Sequence, residues 1–192
     1  MRHIVYFSTT ASTTGNFGDN LMKAGRMDIA IHTIIASLFL SHDFRKDVKV
    51  HLIFYGMPDP PKHIEIQVKE GLDISKKDVS SLIKKILYKY REGQKTEVFP
   101  GCFIEKKPFL KVVEELSEQG NDIFILDRKG EDIREAKISE NCTFILGDHD
   151  GLPKKEMKRL KDTAKKVSIG PKTYFASQTV AIVNNELDRR GI

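Results

Sequence analysis

The chain has 192 residues, of which 40% are hydrophobic and 31% are charged, and its formal net charge is +5. This composition is typical of a folded protein and excludes a disordered chain. No apolar run approaches the ~20 residues of a membrane span, and the first residues lack the apolar segment of a secretion signal, so no membrane partner is expected. The two cysteines, Cys102 and Cys142, predict no disulfide framework and favour the reducing cytoplasm.

The first part of the chain predicts strands that alternate with helices. Residues 2–8 and 48–55 are apolar runs typical of buried strands, and between them apolar residues recur at helical spacing from Met27 to Leu38. Residues 63–69 alternate between apolar and polar, which predicts a strand with one face in water.

Helix signals follow. Ser75 and Asp78 have the spacing of a capping box, and an apolar stripe from Val79 to Tyr90 predicts an amphipathic helix behind it. Pro108 is placed to begin another helix that Gly120 ends.

The second part continues the alternation. Residues 122–127, 142–146 and 166–169 predict strands, with helices from about Pro153 and from Phe175 to Arg190. Such a pattern predicts an α/β fold with a mostly parallel sheet flanked by helices. No linker or repeat divides the chain, so we expect a single domain over 1–192.

Three glycine-containing loops follow the last three predicted strands, at residues 126–132, 146–153 and 169–175. The carboxyl ends of parallel strands share one edge of a sheet, which is where α/β folds bind ligands. These loops therefore predict a pocket walled largely by main chain. Neither the dinucleotide fingerprint nor the phosphate loop is present.

The sequence Asp148-His149-Asp150 in the second loop has metal-ligating side chains. Adjacent residues on a short turn rarely converge on one ion, and we see no second cluster to complete the shell. We therefore predict no metal site.

The positive charge is concentrated between Lys154 and Lys166, where seven lysines and arginines, including Lys158 and Arg159, face two acidic residues. Such a segment suits RNA phosphates. On charge alone, a solvated helix face is the more common explanation.

Longer segments carry a family resemblance. "FILGDHDGLP" (144–153) and "VSIGPKTYFASQTVAIVNNELDRRG" (167–191) resemble the second and third motifs of the SPOUT class of S-adenosylmethionine-dependent RNA methyltransferases. Residues 25–48, with "YGMPDPP" (55–61), resemble the archaeal tRNA (pseudouridine-54) N1-methyltransferase family, relatives of the eukaryotic ribosomal RNA pseudouridine N1-methyltransferases. The resemblance spans nearly the whole chain.

The resemblance implies a deep trefoil knot in the region of about 122–192, and a homodimer with active sites at its interface. It implies S-adenosyl-L-methionine as cofactor, bound at Leu126, Gly147, Gly151, Ile169, Gly170, Pro171, Lys172, Thr173, Tyr174 and Thr179. Thr179 stands where relatives carry a cysteine, which argues against a covalent thiol role.

The resemblance also suggests how the chain handles its substrate. On sequence alone, Asp28 is an acid favoured by the start of a helix, whereas the resemblance makes Arg26 and Asp28 the catalytic pair. Arg45, Lys158 and Arg159 are candidate RNA contacts. The implied function is N1-methylation of pseudouridine 54 in tRNA. Alternatives are a ribosomal RNA pseudouridine N1- or ribose 2′-O-methyltransferase of the same class, or a non-enzymatic RNA-binding module.

Overall fold

One mixed sheet of eight strands runs through the molecule in the order β4-β5-β3-β2-β1-β7-β6-β8. The computed structural model describes residues 1–192. The elements in chain order are β1 (Arg2–Ser8), α1 (Met27–Leu38), β2 (Val48–Phe54), β3 (Lys62–Gln67), α2 (Val79–Tyr88), β4 (Thr96–Phe99), β5 (Cys102–Glu105), α3 (Phe109–Glu118), β6 (Asp122–Asp132), β7 (Cys142–Gly147), α4 (Lys154–Arg159), β8 (Ala164–Ser168) and α5 (Ala176–Arg190).

The sheet has a parallel half and an antiparallel half. Strands β2, β1, β7, β6 and β8 pair in parallel, whereas β3, β5 and β4 extend the sheet in antiparallel fashion. All of β1 is buried, and its register pairs Phe7 with Gly147 on one side and Ile53 on the other. The carboxyl ends of β1 and β7 therefore lie side by side.

Helices cover both faces of the sheet. One face packs its apolar side chains, such as Ile4 and Tyr6, against α1, α2 and α5 in the larger core cluster. The other face packs Val5 and Phe7 against α3 in a smaller cluster. Alternating side chains of β1 thus serve opposite cores, as the two-residue period of a strand requires. No helix of the chain combines the length and the apolar character that a membrane crossing needs.

The predicted α/β class with a mostly parallel sheet is confirmed. The strands at residues 2–8 and 48–55 and the helices from Met27 to Leu38 and from about Phe175 are confirmed as β1, β2, α1 and α5. The threading of the chain into a knot stays a prediction.

The hairpin of β4 and β5 was not predicted from the sequence. Each strand has only four residues, too few for a clear alternation, and the turn between them holds Gly101 at φ 77. The prediction that residues 63–69 have a wet face is wrong. His63 and Glu65 of β3 are buried because β5 extends the sheet beyond β3 and their polar atoms bind neighbouring side chains.

Two local predictions need correction. Helix α2 begins at Val79 without a side-chain cap, and the Ser75 hydroxyl binds the Asp78 carboxylate instead of a backbone amide, so the predicted capping box is wrong. The helix predicted from about Pro153 is confirmed as α4, which has six residues. Strand β6 continues to Asp132 rather than stopping at residue 127, since its second part pairs with β8 after a register shift.

A row of three buried histidines crosses β1, β2 and β3. His3 Nδ1 lies 2.8 Å from His51 Nε2, and His51 Nδ1 lies 3.0 Å from His63 Nε2. The row ends at the Glu105 carboxylate, 3.0 Å from His63 Nδ1. Burial alone would raise the pKa of Glu105, but hydrogen bonds from His63 and Lys107 lower it to about 2. An ionised Glu105 requires a donor at His63 Nδ1, so a proton lies on that nitrogen.

Burial also keeps His3 and His51 of this row uncharged at neutral pH. It lowers the pKa of His3 to about 4, with a smaller contribution from Lys49 and the N-terminus, and it lowers the pKa of His51 well below the ordinary value of 6.5. The charged groups that face the row are Lys49, Glu65, Lys95, Glu105, Lys107, Glu115 and the N-terminal ammonium.

We expect the free energy of unfolding to fall as the pH is lowered from 6.5 to 5. The histidines of the unfolded chain bind protons below about pH 6.5, whereas folded His3 and His51 stay neutral to lower pH. The contribution of these two residues to the free energy of unfolding is therefore fully present above pH 6.5 and is lost as the pH falls below it. His3 alone accounts for about 2 kcal/mol at pH 5. Denaturant unfolding at several pH values measures this loss. His3→Gln should show a shallower loss, and equal stability of the parent at pH 7 and 5 would contradict the assignment.

Candidate active site

A cavity of about 1340 Å³ opens at the carboxyl ends of β7 and β8 and beside the middle of β6. Its walls are formed by residues 125–128 of β6, by the loops that follow β7 and β8, and by the N-terminal part of α1. The sheet order places β8, β6 and β7 next to one another, so loops that are far apart in sequence meet at one edge. This is the position that the sequence predicted for a main-chain pocket.

The cavity brings together most of the residues predicted to bind the cofactor. Those that line it are Leu126, Gly147, Gly151, Ile169, Gly170, Lys172, Thr173, Tyr174 and Thr179. Pro171 does not line it. Arg26 and Asp28 line the same cavity, so the predicted catalytic pair and the predicted cofactor residues share one space.

Glycine is required at position 147 because the backbone of Gly151 approaches it closely. The turn after β7 is closed by a hydrogen bond from the Gly151 amide to the Asp148 carbonyl, at 3.0 Å. A Cβ at position 147 would lie 2.5 Å from the Gly151 carbonyl carbon, which is closer than any real side chain tolerates. Only glycine fits there without opening the turn.

The Asp148 carboxylate ties this turn to the loop after β1. It accepts hydrogen bonds from the amides of Thr9, at 3.2 Å, and Asp150, at 2.9 Å. Asp148 is 9% exposed, whereas the adjacent His149 and Asp150 are exposed and lie 3.6 Å apart. The carboxylate oxygens of Asp148 are thus already used by backbone donors.

A second group of metal-ligating side chains, His51, His63 and Glu65, lies in the buried histidine row and does not line this cavity. Lys95 lies 2.6 Å from Glu65 and supplies its counter-charge, and both rings are hydrogen bonded. This group has no signature in the sequence because its members come from two strands. The expectation of no metal ion stays a prediction.

Arg26 and Asp28 form a bidentate ion pair at the entry to α1. Arg26 Nε donates to Asp28 Oδ1 and Nη2 to Oδ2, both at 3.0 Å. Arg26 has left-handed backbone angles, φ 60 and ψ 40, which cost a residue with a side chain about 1–2 kcal/mol. Gly25 before it has φ 70, and a Cβ there would lie 1.7 Å from the Thr10 carbonyl oxygen. The strained entry fixes the Arg26 side chain over Asp28.

The ion pair fixes the charges of both members. The hydrogen bond from Arg26 is the main cause that lowers the pKa of Asp28, and the same bond raises the pKa of Arg26. Asp28 is therefore a carboxylate at neutral pH and a weak base in the free protein. It retains lone pairs that can accept further hydrogen bonds.

The three candidate RNA contacts lie in different surroundings. Lys158 lines the cavity, whereas Arg159 is exposed outside it. Arg45 lies away from the cavity, and its guanidinium binds both oxygens of Asp188 in α5, at 2.7 and 2.5 Å. Its side chain is 12% exposed. A role for Arg45 in binding RNA stays a prediction that requires this pair to open.

Two lining residues, His32 and Arg128, could not be assigned to the site from the sequence. His32 follows Asp28 by four residues and therefore shares its face of α1, a spacing that is visible in the sequence. Lys154, Lys161 and Lys166 of the predicted basic segment also line the cavity.

A family model and individual relatives of this chain indicate the same protein family. Residues 1–192 match the family described as "Putative SAM-dependent RNA methyltransferase". The chain is 38% identical to the tRNA (pseudouridine(54)-N(1))-methyltransferase of Methanococcoides burtonii, covering 98% of this chain and 96% of that protein. It is 31% identical to the protein of the same name from Methanocaldococcus jannaschii, covering 100% and 98%.

A solved structure shares the fold. Archaeoglobus fulgidus Nep1 bound to S-adenosylhomocysteine superposes with a TM-score of 0.63 over 99% of each chain, at 13% identity. The full-length family match and the identity to these relatives agree with the residues that carried the resemblance. The chain therefore belongs to this family of S-adenosylmethionine-dependent RNA methyltransferases.

Proposed function

We propose that this protein transfers a methyl group from S-adenosyl-L-methionine to N1 of pseudouridine 54 in the T-loop of tRNA. The observation that carries the proposal is that one cavity contains both the main-chain loops of the family motifs and the Arg26–Asp28 pair. The relatives named for this reaction match along their whole length. The single domain over 1–192 is proposed on the same ground.

The dimensions of the cavity suit two ligands. At about 1340 Å³ it exceeds the range of roughly 300–1,000 Å³ that small-molecule sites occupy. The loops at 147–151 and 169–174 would hold the cofactor, through backbone amides and carbonyls that can read an adenine edge. Bound there, the cofactor supplies a methyl group on a positively charged sulfur. The remaining space, beside Arg26 and Asp28, is left for a nucleotide.

The pair at the start of α1 is placed to hold and deprotonate the base. In the reaction the N1–CH₃ bond forms, the S–CH₃ bond breaks with its electron pair kept by sulfur, and N1 loses its proton. The Asp28 carboxylate accepts a hydrogen bond from the base N–H. The N1 proton becomes more acidic as the new bond forms, so a carboxylate with a lowered pKa can still receive it. Arg26 fixes the orientation of Asp28 and stabilises its charge.

The partners follow from the same proposal. tRNA is the substrate, in keeping with the names of the relatives, and Lys158 at the cavity rim is a candidate phosphate contact. We further propose a homodimer, no metal, and the cytoplasm, where the free and buried Cys102 and Cys142 stay reduced.

The acceptor base gives the most discriminating prediction. We expect a tRNA with pseudouridine at position 54 to be methylated and the same tRNA with uridine there to react at least ~10⁴-fold more slowly, because uridine presents C5–H where pseudouridine presents N1–H. Incorporation of labelled methyl groups into the two transcripts measures this. Equal labelling would indicate another SPOUT reaction, such as 2′-O-methylation. Binding without any methylation would indicate a non-enzymatic RNA-binding module.

Replacing Asp28 by asparagine should lower turnover by ~10²-fold or more while the dissociation constant for tRNA changes little, because its role lies at the reacting base. Asp73→Asn is the matched control, since Asp73 is an exposed carboxylate outside the cavity, and it should keep the parent rate. Single-turnover kinetics with saturating tRNA separates the two effects. A parent rate for Asp28→Asn would remove the role given to Asp28 and leave the acceptor assignment standing.

Replacing Gly147 by alanine should weaken binding of S-adenosylhomocysteine by tenfold or more, because the new Cβ forces the 147–151 turn to open. Gly18→Ala is the control, since a Cβ at Gly18 meets no atom within 4 Å. Calorimetry on both folded variants measures the affinity. Unchanged affinity for Gly147→Ala would show that this turn does not form the cofactor site.

A further inference from the structure

The exposed side of α2 carries a row of basic side chains around one aromatic ring. The buried side of the helix is fully apolar, with Val79, Leu82, Ile83, Ile86 and Leu87 in the core. The α2 basic surface is formed by the exposed residues Lys77, Lys85, Tyr88, Lys89 and Arg91. Of these, Lys85 and Tyr88 lie in α2, Lys77 precedes the helix, and Lys89 and Arg91 follow it. Lys85 and Lys89 are four residues apart, so they lie on the same side of the helix end.

The charges of this surface are not neutralised within the chain. None of Lys77, Lys85, Lys89 and Arg91 takes part in an ion pair. The exposed side of α3, by contrast, carries Glu114 and Glu118 beside Lys111, so not every exposed helix side of this chain is basic.

Tyr88 provides a flat surface in the middle of these charges. It is 63% exposed, although its ring is held from one side. The backbone of Gly15 packs so closely that a Cβ there would lie 2.5 Å from Tyr88 Cδ2. A supported and exposed aromatic ring among lysines is the arrangement that stacks an unpaired base while phosphates bind nearby.

One loop connects this surface to the active site. Residues 9–26 follow β1, and in their middle Gly15 packs against Tyr88, while Asp19 lies 3.5 Å from Lys84 of α2. At one end of the loop Thr9 binds Asp148, and at the other end lies Arg26. The C-terminal end of α2 and the cavity therefore lie on two sides of the same loop. The far rim of the cavity carries Lys154, Lys158 and Lys161.

We propose that the α2 basic surface binds the backbone of the RNA whose target nucleotide enters the cavity. Phosphates bind at Lys85, Lys89 and Arg91, and an unpaired base stacks on Tyr88. A single ligand that contacts the positive charge on both sides of the 9–26 loop has to be a polyanion longer than one nucleotide, which the cofactor is not. The inference rests on the proposed function, because it assigns a second contact region to the same RNA.

The test compares two triple variants of equal net charge. Lys85→Gln, Lys89→Gln and Arg91→Gln are combined in one protein. Lys69→Gln, Lys111→Gln and Lys137→Gln, all exposed and outside the α2 basic surface, are combined in the control. Binding of tRNA is measured from 50 to 200 mM salt. We expect the slope of log K against log salt to fall by about 2–3 for the α2 variant, with affinity at 150 mM salt reduced at least tenfold, and to stay at the parent value for the control.

The aromatic contact has its own test. Tyr88→Ala should weaken tRNA binding about tenfold, and Tyr88→Phe should restore it, because stacking needs the ring and not the hydroxyl. All α2 variants should bind S-adenosylhomocysteine as the parent does. If the parent methylates tRNA but the two triple variants have the same salt slope, the inference is wrong and the proposed function stands. If the parent neither binds nor methylates tRNA, the proposed function fails and the inference fails with it.

Discussion

The site depends on one buried carboxylate that joins two loops. Asp148 follows the last residue of β7 and accepts hydrogen bonds from the amides of Thr9 and Asp150, while its own amide donates to the Phe7 carbonyl at 3.0 Å. These bonds continue the β1–β7 pairing beyond the ends of the strands. The turn that closes at Gly151 is therefore fixed relative to the loop that carries Arg26.

The position of the Arg26–Asp28 pair depends on this junction. The Thr10 hydroxyl donates to the Gly25 carbonyl at 3.2 Å, which holds the last residues of the loop against its beginning. Gly25 and Arg26 then enter α1 with two consecutive left-handed residues. Strain of this kind is retained where the surrounding structure over-determines it. Here it places a guanidinium on the Asp28 carboxylate at the cavity wall. The 147–151 turn and the Arg26–Asp28 pair, for which we propose cofactor binding and catalysis, are thus parts of one hydrogen-bonded assembly.

The sequence predicted the elements with strong local signals. The apolar runs of β1 and β2, the periodic stripe of α1 and the three glycine-containing loops needed no tertiary information, and the family resemblance added the residues at the cavity. The hairpin of β4 and β5 was missed because its two strands have four residues each. The buried polar row of His3, His51 and His63 was missed because its hydrogen bonds join three strands, and no local pattern shows which strands become neighbours. The ion pair of Arg45 could not be predicted for the same reason, because its partner Asp188 lies 143 residues away in the chain.

The central claim is that the turns after β7 and β8 form the cofactor site beside Arg26 and Asp28. Hydrogen exchange with and without S-adenosylhomocysteine tests it most directly, because amides that contact the ligand or are closed in by it exchange more slowly. The account predicts slower exchange at residues 147–152 and 169–174 and unchanged exchange in the β4–β5 hairpin. Slower exchange confined to regions outside these two turns, with the ligand bound, would contradict it.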